Sequence, residues 1–162
     1  IGHSSLNDLT TGTNNIAIGE EAGRGNSPSG SITNQANRIC MGNNSSANAY
    51  IRISWTVTSD ERDKMNFEEV PHGLSFVNDL QPVKFHFKKS REDATPNGDA
   101  RYGFKAQDIL ALEGDNPIVI DNEDTENLKY KGESLVPILV KAIQELSTKN
   151  DALVARITAL EG

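Results

Sequence analysis

The last part of the chain carries the pattern that most restricts its fold, because apolar side chains recur there at alternating steps of four and three residues. The pattern predicts a helix over about residues 134–161, with Ile or Asn at position a and Leu at position d of a heptad repeat. Such a helix could pack on its own domain, but three successive heptads favour a coiled coil, and they leave dimer and trimer open. The heptad residues are Leu139, Ile143, Leu146, Asn150, Leu153, Ile157 and Leu160.

The first 58 residues have a different character, since they are rich in Gly, Asn, Ser and Thr and carry few large apolar side chains. An Ile-Gly pair at residues 1–2 returns at 18–19, and a weaker copy follows at Met41-Gly42. Short apolar stretches that end in Gly or Asn at regular intervals predict a repetitive β structure. Because one chain has too few apolar groups for a proper core, we expect it to stack or intertwine with identical chains. A disordered linker is the alternative that this composition also permits.

Charge separates the same two regions. Residues 1–58 hold three basic and three acidic residues, so the net charge of −7 belongs to residues 59–162. Neither region offers the basic stripe that a nucleic acid or an anionic membrane requires, and no apolar run is long enough to span a bilayer. The single cysteine, Cys40, excludes an internal disulfide, and His3 and His72 lack the companions of a metal site. We therefore expect no metal and no cofactor.

Residues 49–58 alternate strictly between apolar and polar side chains, with Ile51, Ile53, Trp55 and Val57 on one face. This is the clearest strand pattern in the chain. A strand here would deliver the backbone to Ser59 in an extended form and present the preceding carbonyl to attack.

The segment after this strand contains the groups for a serine-lysine reaction. The Ser59 hydroxyl becomes a nucleophile if a base takes its proton, and a neutral amine at Lys64 can do so. If Ser59 or Asp60 caps a helix beginning at Glu61, Lys64 lies about one turn further and can fold back. Arg62 could add positive potential or hold a developing oxyanion. Taken alone, the composition of the segment favours an ordinary capped and solvated helix start.

The remaining segments are predicted to form a mixed α/β domain. Residues 71–79 resemble a helix and Val83–Phe87 a strand, in which His86 lies between two core phenylalanines on the opposite face. Residues 88–101 are predicted to be a long polar loop, which we interpret as an arm that grips the end of the preceding β region. Further on, a short helix before Leu112 precedes a hairpin over residues 117–130.

Four motifs occur in order: Ser-Asp-x-Arg-x-Lys at 59–64, Leu-x-Pro-Val-x-Phe at 80–85, Gly-Phe-x-Ala-Gln-Asp at 103–108, and a helix motif at 139–146. Together they resemble the peptidase S74 family, the intramolecular chaperone domain at the C-termini of phage tail spikes, tail fibres, endosialidases and neck appendage proteins. The resemblance implies an α+β homotrimer, in which residues 1–58 are the end of a β-rich fibre and residues 59–162 the chaperone.

In that family the chaperone trimerises, templates the folding of the preceding fibre and then cleaves itself off. The resemblance implies cleavage between Thr58 and Ser59, with Ser59 as nucleophile and Lys64 as general base. The supporting residues that it implies are Asp60, Arg62, Gln107 and Asp108. Asp63 stands where an apolar residue is often seen, and its charge would oppose base function unless it faces solvent.

The resemblance also predicts where the products belong. The fibre part, of a neck appendage or tail fibre, would stay in the virion, and the chaperone part would be released in the host cytoplasm. Its partners would be two identical chains and its own N-terminal segment. Two alternatives are a structural or host-binding fibre tip that does not cleave and a Ser/Lys protease that acts on other proteins. The protease is the weaker of the two, because the sequence indicates no substrate cleft.

Overall fold

The computed structural model describes residues 1–162 and divides the chain into two compact units. The first contains Ile1–Ser54 and Lys84–Tyr102, and the second contains Trp55–Val83 and Gly103–Gly162. The protein is a mixed α/β chain with three two-stranded sheets and a long C-terminal helix. None of its helices is both long and apolar enough to cross a membrane.

The first unit is built from short passes of chain that lie side by side. Strand β1 (Ile16–Ile18) pairs in parallel with β2 (Ile39–Met41). The first two residues extend this arrangement, because the N–H of Gly19 donates to the Ile1 carbonyl at 2.8 Å. A glycine follows each pass, and at Gly19, where φ is +113°, a Cβ would lie only 3.1 Å from the Cα of Gly42. The recurring Ile-Gly pairs therefore mark the places where successive passes come closest.

Few side chains, most of them small, fill the interior of this unit. The middle residue of each strand, Ala17 or Cys40, is buried, while the residues on either side of it are exposed. One chain thus buries a small core, and apolar side chains remain on its outer surface. The buried apolar residues are Ala17, Ala22, Ile32 and Cys40, and the exposed apolar ones are Ile1, Ile16, Ile18, Ile39 and Met41.

A hairpin from later in the chain belongs to the first unit. Strand β3 (Val83–Lys88) pairs with β4 (Pro96–Gly103), so the predicted polar loop is wrong for its second half. Strand β4 has a polar sequence that gives no strand pattern of its own, and it forms because β3 pairs with one edge of its backbone. The prediction of two core phenylalanines is also wrong, because Phe85 is half-buried and Phe87 is exposed and lies against Arg101. The intervening His86 is exposed.

The second unit has a conventional apolar core. Helix α1 (Leu74–Asp79), helix α2 (Ala106–Glu113) and the first turns of α3 (Leu135–Glu161) pack around the hairpin of β5 (Ile120–Asp121) and β6 (Lys129–Tyr130). The predicted helices and the predicted hairpin are therefore present. The buried residues of this core are Phe76, Leu80, Ile109, Val119, Ile120, Leu135 and Ile138.

Carboxylates and one amine hold these elements together. The Glu113 carboxylate accepts hydrogen bonds from the backbone N–H groups of residues 118, 119 and 120 at 2.7–2.9 Å, which fixes the turn into β5. Glu145 accepts from the N–H of Leu74 at 2.8 Å, and Lys141 donates to the Val70 carbonyl at 2.5 Å. The first half of α3 is thus tied to α1.

The predicted strand over residues 49–58 is absent from the single chain. Its backbone makes no hydrogen bond within the chain, and its apolar face is exposed. The physical reason is that a strand is stable only when a neighbouring strand satisfies its N–H and C=O groups, and no other segment of the chain does so.

Candidate active site

The segment from Ser59 to Lys64 folds into one short turn. Asp60 caps a 3-10 turn over Glu61–Asp63, and its Oδ1 accepts from the N–H of Arg62 at 2.9 Å. The N–H of Lys64 donates to the Glu61 carbonyl at 3.0 Å and ends the turn. A capped turn was expected here, and a single 3-10 turn takes the place of a longer helix because no apolar side chain anchors it to a core.

This turn brings the serine and the lysine together. Lys64 Nζ donates a hydrogen bond to Ser59 Oγ over 2.6 Å. A neutral amine could accept the serine proton across the same distance, since general-base transfer requires heavy atoms about 2.6–3.2 Å apart. The contact is therefore geometrically competent for proton transfer in either direction.

Arg62 is held by the aspartate that caps the turn. Its Nε lies 3.0 Å from Asp60 Oδ1 and its guanidinium NH2 lies 2.6 Å from Asp60 Oδ2, which is a two-point ion pair. The Arg62 hydrogen bonds lower the pKa of the Asp60 carboxyl, and the same contact raises the pKa of Arg62. In one chain this guanidinium is therefore bound by Asp60. An oxyanion would have to displace that carboxylate or share the positive charge of Arg62 with it.

The site lies open to water in the single chain. Ser59, Lys64 and the intervening residues are all exposed. A lysine amine is driven towards its neutral form by burial or by neighbouring cations. The single chain therefore has the contact that a serine-lysine reaction needs, but not the dry environment. Asp63 is exposed and forms no ion pair with Lys64, which meets the condition of facing solvent.

The two residues implied on α2 are not brought to this turn. Gln107 is exposed, and Asp108 is half-buried and pairs with Lys105, with 3.9 Å between the charged atoms. Neither one forms a hydrogen bond or an ion pair with Ser59 or Lys64. The single chain thus provides no direct support from α2. No cluster of three or more His, Cys, Asp or Glu side chains lies close enough to hold a metal ion.

The groups by which the hairpin contacts the N-terminal segment were not predicted from the sequence. Asn97 donates to the Asn44 carbonyl at 2.8 Å, and Arg101 donates to the Ala47 carbonyl at 2.5 Å. Gly98 lies beside them, with φ of +77°, and a Cβ there would approach that of Ala47 to 3.3 Å. The Asn-Gly pair within a polar stretch was a turn signal that also marked this close approach.

The contact between Ser59 and Lys64 defines the class of site as a serine-lysine pair on a capped turn. Residues 59–115 match the peptidase S74 family model, described as chaperone of endosialidase, and this confirms the family resemblance for that part of the chain. The match begins at Ser59, includes three of the four motifs and ends before α3. No curated protein matches the chain.

Proposed function

We propose that residues 59–162 are an intramolecular chaperone that trimerises, folds the β-rich segment ahead of it and then cleaves the chain between Thr58 and Ser59. The observation that carries the proposal is the 2.6 Å contact between Ser59 Oγ and Lys64 Nζ, at the first position of the family match. The fibre part would remain in a phage virion as part of a tail fibre or neck appendage. The chaperone part would be released in the host cytoplasm.

Trimerisation would use the face of α3 that its own unit leaves open. Leu135, Ile138 and Ala142 turn one side of the helix into the core. The heptad side is exposed over the whole length, including Ile143 and Ile157. An apolar stripe on a long helix is unfavourable in water, and a coiled coil would bury it. The heptad leaves the number of strands open, and the family resemblance favours three.

The cleavage step conserves atoms and charge as follows. The Lys64 amine takes the Ser59 hydroxyl proton while Oγ forms a bond to the Thr58 carbonyl carbon. The C–N bond then breaks, the proton passes from Lys64 to the Ser59 nitrogen, and an ester links Thr58 to Oγ. Water hydrolyses this ester and leaves a carboxylate on Thr58 and a free amine on Ser59. The serine of the same chain or of a neighbour can perform the attack.

Assembly would bury the serine-lysine pair and bring further polar groups to it. Burial of Lys64 against a neighbouring chain favours the neutral amine that a base requires. A neighbouring chain, or a local rearrangement, would also bring Gln107 and Asp108 to the turn. Asp60 holds Arg62 beside the turn, where its charge can act on the oxyanion. This requirement would keep the site inactive until the chains have gathered.

The hairpin of β3 and β4 would be the element through which the chaperone binds the preceding β segment. Its contacts with Asn44 and Ala47 fall just after β2. We expect deletion of residues 91–99 to impair trimerisation of the β segment while the coiled coil still forms. A deletion variant whose β segment assembles as well as that of the wild type would exclude this role.

The second candidate function is a fibre tip that does not cleave. It is favoured by the exposure of Ser59 and Lys64 and by the pairing of Arg62 with Asp60, which together resemble a solvated helix cap. Denaturing gels and sedimentation of the wild type and of Ser59→Ala separate the two candidates. The chaperone proposal expects two fragments from the wild type and an intact, trimeric Ser59→Ala chain.

Two further variants refine this experiment. Lys64→Arg keeps the positive charge but removes a usable base, and it should also stay intact. Ser45→Ala removes a hydroxyl of the same kind away from the site and should cleave as the wild type does. An intact wild-type trimer would support the fibre tip instead.

A further inference from the structure

Segment 50–57 has the apolar pattern of a half-buried strand, yet its side chains lie exposed to water. Four of its side chains are exposed by 54–78%, although the sequence pattern places them on one apolar face of a strand: Ile51, Ile53, Trp55 and Val57. None of the backbone N–H or C=O groups of residues 49–58 is hydrogen-bonded within the chain. Large apolar side chains that recur along an exposed segment are typical of a contact with another molecule.

The physical properties of the segment favour an identical copy as that molecule. Arg52 is the only charged residue between positions 43 and 59, and it lies on the polar face. Paired copies therefore bring their apolar side chains together, and no like charges meet on the apolar face. Copies held by the proposed coiled coil would also meet at a high effective concentration, since all carry the segment at the same place.

We propose that segment 50–57 makes cleavage depend on assembly. It forms a strand only by pairing with the same segment of neighbouring copies, and this pairing fixes the Thr58 carbonyl against the serine-lysine pair. An unpaired backbone samples many conformations, so the carbonyl seldom has the geometry for attack. The inference rests on the proposed function and adds the element that couples trimerisation to the reaction.

Cysteine crosslinking tests the pairing without depending on cleavage. In a Ser59→Ala chain, Ile53→Cys should form intermolecular disulfides on mild oxidation, because symmetric pairing brings residue 53 of one copy close to residue 53 of the next. Around the threefold axis of a trimer the apolar faces converge and the polar faces diverge, so Ser54→Cys, on the polar face, is the matched control and should crosslink much less. The parent chain controls for Cys40, which is buried. Equal crosslinking at both positions, or none at either in a trimer, would overturn the pairing.

A second experiment tests the coupling to cleavage. Ile53→Asp should form trimers through α3 but cleave at least about tenfold more slowly, because misplacing the carbonyl costs that much or more. Ser45→Asp, which adds the same charge at an exposed position outside the segment, should cleave within about twofold of wild type. If Ile53→Asp fails to trimerise, the milder Ile53→Thr, which retains strand propensity, decides the question with the same expectation.

The outcomes separate this inference from the proposed function. Trimeric Ile53 variants that cleave at the wild-type rate would refute the coupling and leave the proposed function intact. An uncleaved wild type would refute the proposed cleavage itself, whatever the crosslinking shows.

Discussion

Helix α3 and the segment 50–57 carry equally regular apolar patterns, yet only the helix is formed in a single chain. A helix closes its backbone hydrogen bonds within itself, so α3 exists even where its apolar stripe is exposed. A strand directs those bonds to a neighbour and has no independent existence. The difference between the two regions follows from where their backbone hydrogen bonds go, and it is the basis of the proposal that α3 assembles the chains and that segment 50–57 pairs only after they have assembled.

The largest expected effect comes from disrupting the apolar stripe of the helix. Leu153→Asp should abolish the trimer and with it cleavage, because each copy would bury a carboxylate at a d position. Sedimentation and denaturing gels measure both properties. Ala155→Asp, at the outward f position, should leave both unchanged. Trimeric Leu153→Asp protein would show that the exposed stripe is not the trimer interface.

Hydrogen exchange sharpens the difference between the two regions. In a trimeric Ser59→Ala chain, the amides of both α3 and residues 50–57 should be protected. In a Leu153→Asp chain, the amides of residues 50–57 should exchange as in an unfolded chain, while those of residues 138–142 keep the protection of the core. Persistent protection of residues 50–57 in the monomer would mean that this segment folds without a partner.

Two isoleucines on opposite sides of α3 give a smaller, quantitative contrast. In the Leu153→Asp background, Ile138→Ala should lower the free energy of unfolding by about 2–5 kcal/mol, because Ile138 is buried in the core. Ile143→Ala should change it by less than about 0.5 kcal/mol, since Ile143 is exposed in the single chain. Urea titrations followed by circular dichroism provide both values. Similar losses from the two changes would contradict the assignment of faces.

The smallest effect concerns the turn itself. The hydrogen bonds from Arg62 hold the pKa of Asp60 below its ordinary value of about 3.9. Whatever stability this ion pair contributes is present at neutral pH and is lost as the pH falls below about 4 and Asp60 is protonated. An NMR titration of the Asp60 carboxyl should find the lowered pKa, and Arg62→Ala should return it to the ordinary range. An unshifted pKa in the unmodified turn would refute the pair.

The sequence correctly predicted the elements that local residues determine, and it failed where an element needs a remote partner. The heptad pattern predicted α3, and the alternation before Phe87 predicted β3, because each feature reflects local geometry. Strand β4 was missed because its pairing with β3, and the contacts of Asn97 and Arg101, depend on residues remote in the chain. The strand predicted at 49–58 is not formed, because one chain supplies no neighbouring strand to pair with it.

At the candidate site, local chemistry was easier to predict than its surroundings. The spacing from Ser59 to Lys64 correctly indicated that the lysine could fold back, because a single capped turn determines that distance. The proposed support from Gln107 and Asp108 remains a prediction, as do the catalytic roles. Both depend on which groups surround the turn in the active protein, and no local sequence pattern encodes that.

N-terminal sequencing of the C-terminal fragment from purified wild-type protein tests the central claim most directly. We predict one fragment that begins Ser-Asp-Glu-Arg at residue 59 from trimeric protein, and no such fragment from Ser59→Ala. A fully trimeric wild type that stays intact, or a fragment that begins at any other residue, would contradict it.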